Sequence, residues 1–80
     1  MSRQQIIVQT NAFLIQSLDI DAALITPDTE LKRDIGITSV DATAIASFMQ
    51  QTFGCTIVMR EIKAIVTLDD LYDYIATHQS

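Results

Sequence analysis

Asp34-Ile35-Gly36-Ile37-Thr38-Ser39-Val40-Asp41 is where a long polar connection turns into an apolar-periodic run. Thr38 followed by Asp41 has the Ser/Thr-x-x-Asp/Glu form of a capping box, so a helix is expected to begin here. Gly36 supplies the permissive backbone that the preceding turn needs. Ser39 then falls in the first helical turn, near backbone N–H groups that have no helical partner. Those groups and the helix dipole favour an anion nearby, so the hydroxyl is well placed to carry a phosphodiester. On spacing alone, a serine at a helix start is also the ordinary choice for a cap.

Working outward from this point, Ala42, Ile45, Ala46, Met49 and Phe53 repeat at i, i+3, i+4, i+7 and i+11, which predicts a helix over 39–53 with that stripe in the core and Phe48 on its flank. Val40, Thr43, Ala44, Ser47 and Gln51 form the opposite face, which carries no charge. Gly54 is the expected stop.

Upstream, Ser2 with Gln5 is a second capping box. Ile6, Thr10, Phe13, Leu14, Ser17 and Leu18 follow helical spacing, predicting a first helix over about 3–18. Residues 19–38 form a long connection that Ile20, Leu24, Ile25, Leu31 and Ile35 are expected to pin to the core. Thr26-Pro27-Asp28 has the pattern of an N-cap with Pro at the first helical position, which suggests one short helical turn inside the connection. Six of the ten acids lie between Asp19 and Asp41. They read equally as a solvated loop or as a docking surface.

Downstream, residues 55–58 have strand propensity but no pairing partner, so no sheet is expected. Residues 59–64 suit a short helix with Ile62 and Ile65 turned inward. Thr67 with Asp70 is a third capping box, opening a last helix over about 68–78 on Leu68, Leu71 and Ile75, with Tyr72 and Tyr74 alongside. The fold class is therefore all-α: an antiparallel four-helix bundle of three longer helices and one short, with the long loop between helices one and two.

The totals narrow the function. Eighty residues make one domain, 1–80, with a small core. The net charge of −5 and the pI of about 4.3 disfavour nucleic acid and anionic membranes and favour basic partner surfaces. A single cysteine, Cys55, allows no internal disulfide or cysteine-based zinc site, and is expected to be a packed or loop thiol. His78, the one histidine, is expected to be a solvated residue of the last turn. No cluster of acid, base and nucleophile is visible, so an enzyme is not expected. Nor is a signal peptide or membrane span, which points to a cytoplasmic protein; a monomer is expected. Met1 and a complete bundle suggest a free-standing chain.

These residues together resemble the acyl carrier protein family of fatty-acid, polyketide and peptidyl carriers. The resemblance runs along essentially the whole chain. Asp34-Ile35-Gly36-x-x-Ser39-Val40-Asp41 follows the family's D-L-G-x-D-S-L-D pattern. Thr26-Pro27-Asp28-Thr29-x-Leu31, Phe53-Gly54, Ile57, Ile65-x-Thr67-Leu68 and Asp73-Tyr74-Ile75 match further family positions in order and spacing.

The resemblance implies a non-enzymatic carrier. Ser39 would receive 4′-phosphopantetheine from coenzyme A through a separate phosphopantetheinyl transferase, and the arm's thiol would hold acyl groups as thioesters for acyl-loading and acyl-processing enzymes. Ile37, Thr38, Val40, Thr43, Ala44 and Ser47 would meet those partners. Two departures stand out: Thr38 and Val40 replace the family's acid and leucine beside the serine. Moreover, Asp41 is the one acid between residues 39 and 54, where fatty-acid carriers have several. These differences favour a specialised polyketide, peptide or other secondary-metabolite pathway over housekeeping fatty-acid synthesis. The alternative is an unmodified helical interaction module that shares the carrier fold.

Overall fold

The computed structural model describes residues 1–79. Among these there are four α-helices: α1 (Arg3–Ser17), α2 (Ser39–Phe53), α3 (Met59–Ala64) and α4 (Leu68–His78). Three begin in a reciprocal capping box, at Ser2/Gln5, Thr38/Asp41 and Thr67/Asp70. Each box satisfies two backbone donors that the first turn would otherwise leave open. Gly54 ends α2 in the left-handed conformation, φ 67° and ψ 26°. The segment 54–58 forms no strand.

One core joins the helices. Ile6 and Leu14 of α1, Ile45, Met49 and Phe53 of α2, Ile62 of α3, and Leu68, Leu71, Tyr72 and Ile75 of α4 are all buried in it. Phe13 stacks on Phe48 at 4.3 Å between ring centroids, and Phe48 meets Phe53 edge-on. These aromatic contacts tie α1 to α2. Arg3 at the start of α1 pairs with Asp69 and Asp73 of α4, both at 2.6 Å. The Met1 ammonium donates to Gln79 Oε1 at 3.0 Å, so the beginning of α1 lies against the end of α4.

The connection between α1 and α2 is held by backbone as well as side chains. Leu31 N–H donates to Val66 O at 2.9 Å, Leu68 N–H to Thr29 O at 2.9 Å, and Asp69 N–H to Pro27 O at 3.0 Å. The loop is thus anchored to the entry of α4. Leu31 is buried, and Ile20, Ile25 and Ile35 pack partly against the core. Leu24 does not pin the loop: it is exposed. The short helical turn also lies earlier than expected. It is a 3₁₀ turn at Ala22–Leu24, capped by Asp21 Oδ1 accepting from Ala23 N–H at 2.9 Å. Thr26-Pro27-Asp28 forms only a tight turn, because the Thr29 hydroxyl donates to Leu24 O at 2.6 Å and draws the chain back on itself.

One further expectation is corrected. His78 is not freely solvated. Its ring stacks on Tyr74 at 3.9 Å, its Nδ1 lies 2.8 Å from Tyr74 O, and its Nε2 lies 3.8 Å from Glu61. Cys55, by contrast, is a packed thiol as expected, and its burial pushes its pKa up.

Thr10 is the buried polar member of the α1 stripe, and its hydroxyl has no hydrogen-bond partner among the described residues. An unsatisfied buried polar group costs about 1–3 kcal/mol. Thr10→Val keeps the branched shape and removes that cost. We expect stabilisation of about 1–3 kcal/mol, read as a higher denaturant midpoint at an unchanged slope. A lower midpoint would mean that the hydroxyl is satisfied.

Candidate functional site

The site is built where the loop enters α2. Gly36 adopts φ +67°, and a Cβ placed there would meet nothing within 4 Å. Glycine is therefore required for its conformation and not for space. The turn is closed by Ile37 N–H donating to Leu31 O at 2.8 Å. Extended backbone at Thr38 follows, φ −93° and ψ 176°. The Asp41 N–H donates to the Thr38 hydroxyl at 3.2 Å, and the Thr38 N–H donates to the Asp41 carboxylate at 3.1 Å.

Thr38 and Asp41 thus complete the cap and leave Ser39 free of that duty. Ser39 is the first residue of α2 and is exposed. Its hydroxyl has no hydrogen-bond partner among the described residues, and its carbonyl accepts from the Thr43 hydroxyl at 3.1 Å. The N–H groups of Ser39 and Val40 have no partner among the described residues either. They face outward at the positive end of the helix dipole. An uncommitted hydroxyl beside open donors suits esterification by a phosphate group, so the residues present fit a phosphodiester-linked arm at this point.

A cleft of about 330 Å³ opens beside Ser39. That is near the lower end of the range of about 300–1,000 Å³ usual for small-molecule sites. Ile37, Thr38 and Ser39 form one edge of it, and Ala42, Ile45, Ile62, Ile65 and Leu71 give it apolar walls. Lys32 and Lys63 line it as well.

The structure therefore brings Ile37, Thr38 and Ser39 together at the cleft and leaves Val40, Thr43, Ala44 and Ser47 outside its lining, along α2. Val40 is 78% exposed, the most open of the large apolar side chains. Thr43 and Ser47 are exposed too. Ala44 is not: it is half-buried, because the packed surface of α2 extends past the predicted stripe to its edge. The participation of Lys32, Lys63 and α3 was not read from the sequence. Only the inward placement of Ile62 and Ile65 hinted that α3 would contribute a wall.

Residues 12–75 match the family model described as "Phosphopantetheine attachment site". An acyl carrier protein of Helicobacter pylori is 31% identical over 64 residues, covering 80% of this chain and 82% of the relative. An acyl carrier protein of Rubrobacter xylanophilus is 25% identical over 80 residues, covering 100% of this chain and 99% of the relative.

Proposed function

The chain belongs to the acyl carrier protein family, whose members are carriers and not enzymes, and we propose on that premise that Ser39 is the residue that bears its 4′-phosphopantetheine. One observation carries the assignment. Ser39 holds an exposed, uncommitted hydroxyl at the start of α2, while its neighbours Thr38 and Asp41 satisfy the cap between them. When bound, the group supplies a terminal thiol that holds an acyl chain as a thioester. Attachment forms a bond from Ser39 Oγ to the pantetheine-side phosphorus of coenzyme A. The pyrophosphate P–O bond breaks, bisphosphorylated adenosine leaves, and the serine proton passes to a base of the transferase. The apolar cleft beside Ser39 offers an acyl chain shelter from water, which would protect a reactive carbonyl between partners.

The experiment is direct. The unmodified protein is incubated with coenzyme A, magnesium and phosphopantetheinyl transferases of broad specificity, and its intact mass is measured. A gain of one phosphopantetheine is expected. No gain with any of several transferases would favour the unmodified interaction module.

The exposed face of α2 supports a reading of the pathway. Val40, Thr43 and Ser47 are exposed and uncharged, and Asp41 is the one charged residue from Ser39 to Gly54. Exposed ion pairs contribute about 0.2–1 kcal/mol each. A face lacking three or four would bind basic patches about tenfold or more weakly, since 1.4 kcal/mol is a factor of ten. This supports a specialised polyketide, peptide or other secondary-metabolite pathway, with apolar contact through Val40 carrying more of the docking. We expect turnover of the loaded carrier by its partner to vary little with salt. Val40→Glu should reduce it more than Asp28→Asn. Steep salt dependence with a harmless Val40→Glu would move docking to the acidic loop.

A further inference from the structure

In a chain with ten acids and five lysines and arginines, the charged residues lining the Ser39 cleft are both positive: Lys32 from the loop and Lys63 from α3. Neither forms an ion pair among the described residues, and the acids flanking them in sequence and at the start of α2 have other partners. Glu30 pairs with Arg33 at 2.7 Å. Asp34 accepts from Glu30 N–H at 2.8 Å and lies 3.5 Å from Arg33. Glu61 accepts from the Tyr74 hydroxyl at 3.0 Å and faces His78. Asp41 is turned back onto Thr38 N–H at 3.1 Å. Two flexible cations without carboxylate partners therefore share one cleft with the serine that would bear an anion.

We propose that Lys32 and Lys63 form a two-sided cationic rim that binds the phosphodiester of the arm and draws the arm across the cleft. This rests on the assignment of Ser39 as the attachment point. The ammonium groups supply the charge-assisted donors that a phosphodiester favours. The open N–H groups of Ser39 and Val40 add to the positive field on the same side. The apolar stems of the lysines can lie along the isoleucine walls with their heads at the mouth. The consequence is a modified carrier whose arm is biased inward by charge at its root, in addition to any apolar contact its cargo makes. A partner enzyme that offers its own cations to the phosphodiester would release that bias on docking.

The phosphorus NMR resonance of the modified protein reads this without any enzyme activity. It would be recorded for the wild type, K32Q, K63Q, the double variant K32Q/K63Q, the charge-conserving K32R/K63R, and R60Q, which removes a cation that does not line the cleft. The expected result is a wild-type resonance displaced from that of K32Q/K63Q. Each single glutamine variant should lose part of the displacement. K32R/K63R and R60Q should retain it. It should shrink with added salt, as the screening length falls from about 10 Å at 0.1 M to about 3 Å at 1 M.

An identical resonance in the wild type and K32Q/K63Q would overturn the inference and leave the lysines as cover for the apolar walls. Arms loaded with acetyl and with malonyl groups separate the two possible anions. Lysine dependence on the unloaded and acetyl arms supports the phosphodiester. Dependence confined to the malonyl arm would assign the rim to a cargo carboxylate and overturn the proposal as stated. Intact mass distinguishes the two levels of failure. A protein that takes no arm at Ser39 overturns the attachment assignment and this inference with it, whereas a modified protein with a lysine-independent resonance overturns this inference alone.

Discussion

Ser39→Ala is expected to abolish covalent modification while leaving the protein folded. The two halves of that expectation have separate causes. The Ser39 hydroxyl makes no hydrogen bond among the described residues, and the cap of α2 is made by Thr38 and Asp41. Alanine is also the best helix former. Stability should therefore change by no more than about 0.5 kcal/mol, and any loss of mass gain reports a missing nucleophile. Thr38→Ala should behave in the opposite way. It removes the side chain that accepts from Asp41 N–H at 3.2 Å, which should cost about 0.5–2 kcal/mol, yet it leaves the nucleophile in place and the arm should still attach. The pair separates the chemistry of the site from its scaffold. An adduct of full yield on Ser39→Ala would mean that another hydroxyl is the target.

Met49→Ala is expected to be the most destabilising of the substitutions considered. Met49 is fully buried on α2, in the same core cluster as Ile6 and Leu14 of α1 and Leu71 of α4. Removing a buried side chain of this size costs about 2–5 kcal/mol through lost transfer energy and the cavity left behind. At about 0.05–0.15 kcal/mol per residue, a domain this small has a total stability of about 4–12 kcal/mol. The substitution could thus remove half of it. Val40→Ala on the exposed face of the same helix should stay within about 0.5 kcal/mol. Denaturant titration of both variants checks the assignment of faces, and reversed costs would contradict it.

Three of the four helix starts were legible because each carries its own capping chemistry. A hydroxyl followed three residues later by Gln or Asp is a local signal, and it located α1, α2 and α4. The stop at Gly54 was equally local, since a left-handed residue favours glycine. The long connection was read less well because non-local bonds decide its shape. The Thr29 hydroxyl reaches back to Leu24 O, and the loop backbone pairs with Val66 and Leu68. Nothing in the spacing of Leu24 distinguishes it from Ile25, yet the first is exposed and the second packs. The half-burial of Ala44 and the stacking of His78 on Tyr74 depend on tertiary neighbours in the same way. At the site, the serine proposed as nucleophile and its cap lie within eight consecutive residues. The cleft was not, because Lys32, Ser39 and Lys63 meet only when three separate segments pack together.

The central claim is that the arm stands on Ser39. The most direct measurement is fragmentation mass spectrometry of the modified protein, which locates the added phosphopantetheine along the chain. The account predicts that every fragment gaining the mass contains Ser39, and that fragments ending before it or starting after it do not. An adduct on Ser47, on Thr38 or outside the start of α2 would contradict it.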